Sequence, residues 1–187
     1  MSTTPVREAL RRLVSDGALE MLPNRSVRLP ELTPGRLHEL TKMRAALEGL
    51  AAQEAARLAT GEEIGQLESI QLAMLAARDR GDVAERLRWN EAFHFTLYSA
   101  ARMPRLMRTL DGLWMESGPY FNLLKPATDG LGYTDGLTYH ASAINAIRQG
   151  NGEAARAAIV LDIESAANAL IAQLRADTAE QCAGRRK

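Results

Sequence analysis

At 187 residues the chain is long enough for one sizeable domain and a small appendage. Its 23 basic and 23 acidic side chains cancel, so bulk charge names no partner, and a single cysteine, Cys182, excludes both a disulfide framework and a Cys-based metal site within the chain. No apolar run reads as the roughly 18 residues of a membrane span and no signal-peptide hydrophobic region opens the sequence, so a cytoplasmic protein with no membrane partner is expected. Aromatic residues make up only 5%, which leaves Leu, Ile, Val, Met and Ala to fill the core; the Ala runs suit close helix packing.

In chain order, Thr4-Pro5 reads as an N-cap followed by a first-turn proline, and Val6, Ala9, Leu10, Leu13 and Val14 recur at helical spacing until Asp16-Gly17 stops the helix. Two short segments, Ala18–Leu22 and Ser26–Leu29, flank Pro23-Asn24-Arg25 and predict a β-hairpin. Pro30 and Pro34 bracket a linker, and everything after Thr33 reads as helix. Thr33-Pro34 opens a helix to about Leu58. Thr60 with Glu63 forms a capping box for the next, to about Arg80. Gly81-Asp82 starts a third, to about Ala101, and Pro104 a fourth, to about Leu124. Lys125–Thr134, with Pro126, Gly130 and Gly132, predicts a loop. A fifth helix follows over Asp135–Gln149, Gly150-Asn151-Gly152 breaks the chain, and a last helix runs to about Ala176. The boundaries are therefore 1–30 for the appendage, 31–34 for the linker, 35–176 for a helical domain and 177–187 for a frayed tail. The appendage carries five Arg (7, 11, 12, 25 and 28) against Glu8, Asp16 and Glu20, a net of +2 balanced by −2 in the remainder.

The string STTPVREALRRLVSDGALEMLPNRSVRL is the most specific signal. It resembles the recognition helix and wing of the GntR transcription regulators. A helix N-terminus presents free N–H groups to phosphate, and short hydroxyl side chains there reach the DNA backbone or base edges. The resemblance makes Ser2, Thr3, Thr4 and Arg7 DNA contacts on the first turn, and Arg25 a contact at the wing tip. Thr3 stands where the family usually has Arg, and Ser26 where it has the wing glycine. The family's winged helix also has two earlier helices and a short strand, so a chain cut short ahead of its recognition helix is expected.

From Leu32 onward the helix order is similar to the FCD effector domain of the FadR-like subgroup, carried by Arg44-Ala-Ala-Leu-Glu48, Asn90-Glu-Ala-Phe-His94, His140 and the Ala-rich last helix. The fold expected is all-α: an FCD helical bundle behind a partial winged helix-turn-helix. Many FCD proteins hold a divalent metal with an Asp, a His four residues later and two distant His; the resemblance maps these onto Asn90, His94, His140 and Asp162. Helix geometry agrees. Positions 90 and 94 lie one turn apart on one face. His140 and Asp162 lie about 10 residues either side of the glycine break, roughly 15 Å from it each, so an antiparallel pair brings them level. Two imidazoles, a carboxylate and an amide suit Zn, Mn or Ni. The same histidines also fit a second reading, as hydrogen-bonded core residues beside Asp162. Arg44 fits a bidentate partner for a ligand carboxylate, or an i,i+4 ion pair with Glu48. Tyr98 and Asn122 are placed in the same effector cavity. The stripes Leu106, Leu110, Leu113 and Leu170, Ile171, Leu174 read as core or dimer surface.

What the resemblance implies is a homodimeric, ligand-responsive regulator, a repressor, that binds double-stranded operator DNA and senses a small carboxylate metabolite. A sensor that binds ligand or metal but not DNA is the first alternative. A metalloenzyme is the second, though HExxH, a nucleophile elbow and a phosphate-binding glycine loop are all absent.

Overall fold

Caps and prolines set the helix boundaries. In the computed structural model, which describes residues 4–124 and 136–184 with side chains through Asp177, the first helix, α1 (Thr4–Ser15), starts on the Thr4-Pro5 signal. It ends where Gly17 takes a left-handed backbone (φ 77°) and its N–H bonds the Val14 carbonyl. The hairpin is β1 (Glu20–Met21) against β2 (Val27–Arg28), antiparallel, with Glu20 opposite Arg28. Its tip turns through Arg25, the non-glycine residue with φ 65°, and Asn24 Oδ1 accepts from the Ser26 N–H. The left-handed position is thus Arg25, one residue before the Ser26 at which the wing glycine was expected.

The helical domain comprises α2 (Pro34–Leu58), α3 (Gly61–Asp79), α4 (Val83–Ala100), α5 (Pro104–Phe121), α6 (Leu137–Arg148) and α7 (Gly152–Gly184). Thr33 caps α2 by accepting from the Arg36 N–H, and the Thr60–Glu63 capping box forms in full at α3. The expected loop at 125–134 lies outside the described residues. The all-α expectation is met, with two boundaries displaced: α5 ends at Phe121 rather than about Leu124, and the last helix is longer than expected. Helix α7 runs to Gly184 rather than Ala176, because no Gly or Pro interrupts residues 153–183.

Helix α7 also corrects the membrane argument. Its stretch Gly152–Asp177 is long and apolar enough, by length and composition, to cross a membrane. It is instead the core helix of the bundle. Ala155, Ile159, Ile163, Ala167 and Leu170 are buried, and each fully buried Ile or Leu contributes about 1.5–3 kcal/mol. Helix α7 lies along α2, whose Ala51, Ala52, Ala55 and Ala56 are buried. At Gly49 a Cβ would stand 3.1 Å from Val160 and 3.2 Å from Arg156, so the axes approach closely because that side chain is missing. The main core joins α2, α3, α4, α5, α6 and α7 around Leu67, Met74, Phe93, Leu97, Leu110 and Ile159. A smaller cluster of Leu37, Tyr120, Ala167 and Leu170 lies under the linker.

The N-terminal segment is tied to this bundle by few groups. Helix α1 buries none of its residues, and Val6 is 61% exposed. Arg36 donates to the Gly17 carbonyl at 3.0 Å and pairs with Glu116 of α5, while the Tyr120 hydroxyl, also on α5, donates to the Pro30 carbonyl at 2.7 Å.

Candidate metal centre and effector cavity

Three buried side chains from three helices converge. His94 is carried by α4, His140 by α6 and Asp162 by α7. His94 Nε2 lies 3.2 Å and His140 Nε2 3.3 Å from the same oxygen, Asp162 Oδ2. One ligand atom from each falls within 4.8 Å of the others. The antiparallel return of α7 after the Gly150–Gly152 break therefore brings His140 and Asp162 level, as the spacing required. The rings are held by aromatic contacts: His140 stacks on Phe93 with centroids 4.0 Å apart, and Trp114 lies 5.2 Å from His94.

The donor set fits a divalent cation. Ligands about 2.0–2.2 Å from an ion stand roughly 3 Å apart, as each ring nitrogen does from Asp162 Oδ2. Asp162 Oδ1 is buried with no hydrogen-bond partner among the described residues, a costly state for a carboxylate oxygen unless a cation or donor meets it. Burial alone would raise the Asp162 carboxyl, but the charge and hydrogen bond of His140, joined by His94, hold it well below the ordinary carboxylate range. Asn90, one turn before His94 and half-buried, lines the adjoining cavity.

That cavity has a volume of about 560 Å³, and Arg44, Asn90, His94, Trp114, Phe121 and Asp162 are among its walls. Asn122 lies on its rim. Arg44 forms the i,i+4 ion pair and also borders the cavity. Its Nε donates to Glu48 Oε1 at 2.6 Å. The guanidinium lies over the rings of Trp114 (4.9 Å) and Phe121 (5.1 Å). Burial alone would lower the Arg44 pKa; the Glu48 charge and hydrogen bond more than offset it and hold it above the ordinary value.

Tyr98 is not among the residues lining the cavity. It sits behind His94, where its hydroxyl meets Glu48 Oε2, His94 Nδ1 at 3.0 Å and Trp114 Nε1 at 3.1 Å. Burial, then the Glu48 charge, pushes its phenol well above the ordinary value. Sequence reasoning passed over Glu48 except as a partner for Arg44, and passed over Trp114 and Phe121 altogether. Of the proposed DNA contacts, Thr4 opens α1, Arg7 is exposed on it and Arg25 is exposed at the hairpin tip. Ser2 and Thr3 lie outside the described residues.

Residues 39–165, which contain Arg44, Asn90, His94, His140 and Asp162, match the FCD domain family. The chain belongs to the FCD-domain family. This bears out the expected place among GntR-type FCD regulators. Over 127 residues, 68% of this chain, the domain is 33% identical to the HTH-type transcriptional regulator McbR of Escherichia coli, of which the match covers 58%. Over 161 residues it is 30% identical to a "Probable D-xylose utilization operon transcriptional repressor" of Paenarthrobacter nicotinovorans, covering 84% of this chain and 68% of that one. The solved structure of E. coli McbR superposes with a TM-score of 0.83 at 27% identity, over 93% of this chain and 82% of that one. The chain thus spans little more than half the length of the McbR sequence it matches. FCD relatives of this kind are named as regulators, not enzymes, and the metalloenzyme reading is set aside.

Proposed function

We propose that this FCD domain is the sensor of a transcription regulator, that it holds a divalent metal, and that it answers to a small carboxylate. The observation that carries the reading is the closure of His94, His140 and Asp162 on one point in the wall of a cavity that also presents Arg44. His94 Nε2, His140 Nε2 and Asp162 would hold the ion, with the Asn90 amide as a weaker donor. Bound there, a metal supplies a Lewis acid that an anionic ligand can meet. Arg44 supplies a second anchor, and the rings of Trp114 and Phe121 shield both from water. Asn90 and Asp162, in place of the family's Asp and His, shift the preference toward harder ions such as Mn and away from Ni.

Helix α5 links sensing to DNA reading. It turns Trp114, Ser117 and Phe121 to the cavity, while Glu116 holds Arg36 against Gly17 and Tyr120 holds the linker at Pro30. A ligand that favours one placement of α5 biases the placement of α1 and the hairpin. In a homodimer this alters the spacing of two recognition helices on operator DNA. The regulators to which the chain is similar support this reading.

The test is metal content by elemental analysis after incubation with Mn, Zn or Ni, followed by calorimetric titration of a panel of small carboxylates into the loaded and metal-free protein. One ion per chain and carboxylate binding that falls on Arg44→Ala are expected. No metal and no binding would refute the proposal. A second reading, a sensor that binds ligand but not DNA, is favoured by α1, which buries none of its residues. Gel-shift titration of operator DNA with the protein joined to the family's two preceding helices decides between the two: binding with strong salt dependence is expected only under the first.

A further inference from the structure

The hydroxyl of Tyr98 is surrounded by three groups whose hydrogen-bonding roles are nearly fixed. Trp114 Nε1, at 3.1 Å, is an N–H and can only donate, so it fills one lone pair of the phenol oxygen. Glu48, on the other side, is a carboxylate already receiving Arg44 Nε at 2.6 Å, and it can only accept; the phenol proton therefore points to Glu48 Oε2. One lone pair remains, and the atom opposite it is His94 Nδ1 at 3.0 Å. Only an N–H completes that contact. Glu48 Oε2 lies 3.5 Å from the same nitrogen and favours a proton there as well.

We propose that Tyr98, oriented by Glu48 and Trp114, is the positioning residue that fixes His94 as the Nδ1–H tautomer and so presents Nε2 as a bare lone pair to Asp162. The inference rests on the metal-centre reading, because Asp162 Oδ2 would itself accept an Nε2–H, and a cation at Nε2 is what leaves the single proton of a neutral His94 to Nδ1. The consequence is chemical. A bare Nε2 facing Asp162 Oδ2 at 3.2 Å puts two electron-rich atoms opposite one another in a buried place. Such a pair is stable with a cation between them, either a metal ion or the proton of an imidazolium. Glu48 and Tyr98 meet His94 on its Nδ1 side, away from Asp162, and so decide which nitrogen of His94 is available. The same Glu48 carboxylate holds Arg44 at the cavity, so one buried anion orients both the effector anchor and the metal ligand.

The experiment reads the tautomer directly. The full chain, labelled with 15N in histidine, is loaded with Zn, and its ring nitrogens are assigned by long-range 15N–1H correlation. The wild type is expected to show His94 protonated at Nδ1 and bare at Nε2. At the same Zn concentration Tyr98→Phe is expected to lose this state, and competition of Zn and Mn against a fluorescent chelator is expected to show affinity about 10–100-fold weaker. His94 protonated at Nε2 in the Zn-loaded wild type overturns the proposal without recourse to any variant. So do an unchanged His94 and an unchanged affinity in a folded Tyr98→Phe protein. If the wild type takes up no Zn, the metal reading fails and the proposal with it; if it takes up Zn and His94 is unchanged in Tyr98→Phe, the positioning role alone fails.

Discussion

Removing the carboxylate of Glu48 tests how much of the domain's stability hangs on one buried charge. Glu48 is fully buried, accepts from Arg44 Nε at 2.6 Å, and accepts from the Tyr98 hydroxyl. Glu48→Ala leaves a guanidinium that is only 6% exposed without its counter-ion, and breaking a buried pair on one side costs about 3–5 kcal/mol. The phenol also loses its acceptor, at about 1–3 kcal/mol. Arg44 keeps the faces of Trp114 and Phe121 and borders a cavity that admits water, which recovers part of this. The expected net loss is about 3–4 kcal/mol, or roughly 6–16 °C in melting temperature for a chain of this size. Paired replacement of Arg44 and Glu48 by Leu should cost far less, within about 1 kcal/mol, because no charge is then stranded. The assay is urea unfolding in the presence of chelator, with the midpoint compared at constant slope. A loss under about 1 kcal/mol for Glu48→Ala, or a double variant as damaged as the single one, would show that the pair is hydrated and the argument wrong.

Three further outcomes are expected. Mn at about 100 times its dissociation constant should stabilise the wild type by about 2.7 kcal/mol, roughly 5–11 °C by thermal denaturation, and His94→Ala should show no such rise. Glu63 is held below the ordinary carboxylate range by the backbone N–H of Thr60 and by Arg102. The folded protein therefore binds this proton more weakly than the unfolded chain does, and the contribution is complete above about pH 5 and disappears as pH falls through the lowered value. Glu63→Gln should accordingly lose more stability at pH 7 than at pH 3, as followed by chemical denaturation at both values. Light scattering at micromolar concentration should return twice the chain mass; a monomer would count against the two-headed mechanism.

The fold was legible where the chain is punctuated. Thr33-Pro34, the Thr60–Glu63 box, Pro104 and Gly150-Asn151-Gly152 each act through local chemistry, a cap bond or a missing N–H, and local chemistry survives packing. The end of α7 was not legible, since the stretch beyond Ala176 lacks a breaker until Gly184. Its apolar length carries the mark of a span as well as of a core helix, and only packing against α2 and α6 separates the two. The convergence of His94, His140 and Asp162 was legible because the candidates are spaced for it: four residues on one helix for Asn90 and His94, equal distances from a break for His140 and Asp162.

Tyr98 and Glu48 show what spacing leaves open. Tyr98 is also four residues from His94, so it shares a face with it, and the sequence reading set it in the cavity. A shared face does not say which side of the neighbouring ring a side chain occupies. Tyr98 lies on the Nδ1 side, away from the cavity, because a fully buried acceptor from α2 stands there, fifty residues earlier in the chain. The burial of that acceptor did leave a trace. Between Met43 and Ala52, Arg44 and Glu48 are the charged residues, and their neighbours at three and four positions are Leu40, Thr41, Ala45, Leu47, Ala51 and Ala52. A solvated ion pair on a helix lies among other polar groups. One set in an apolar stripe either strands two charges in the core or serves something beside them, and the cost of stranding makes the second the better inference from sequence alone.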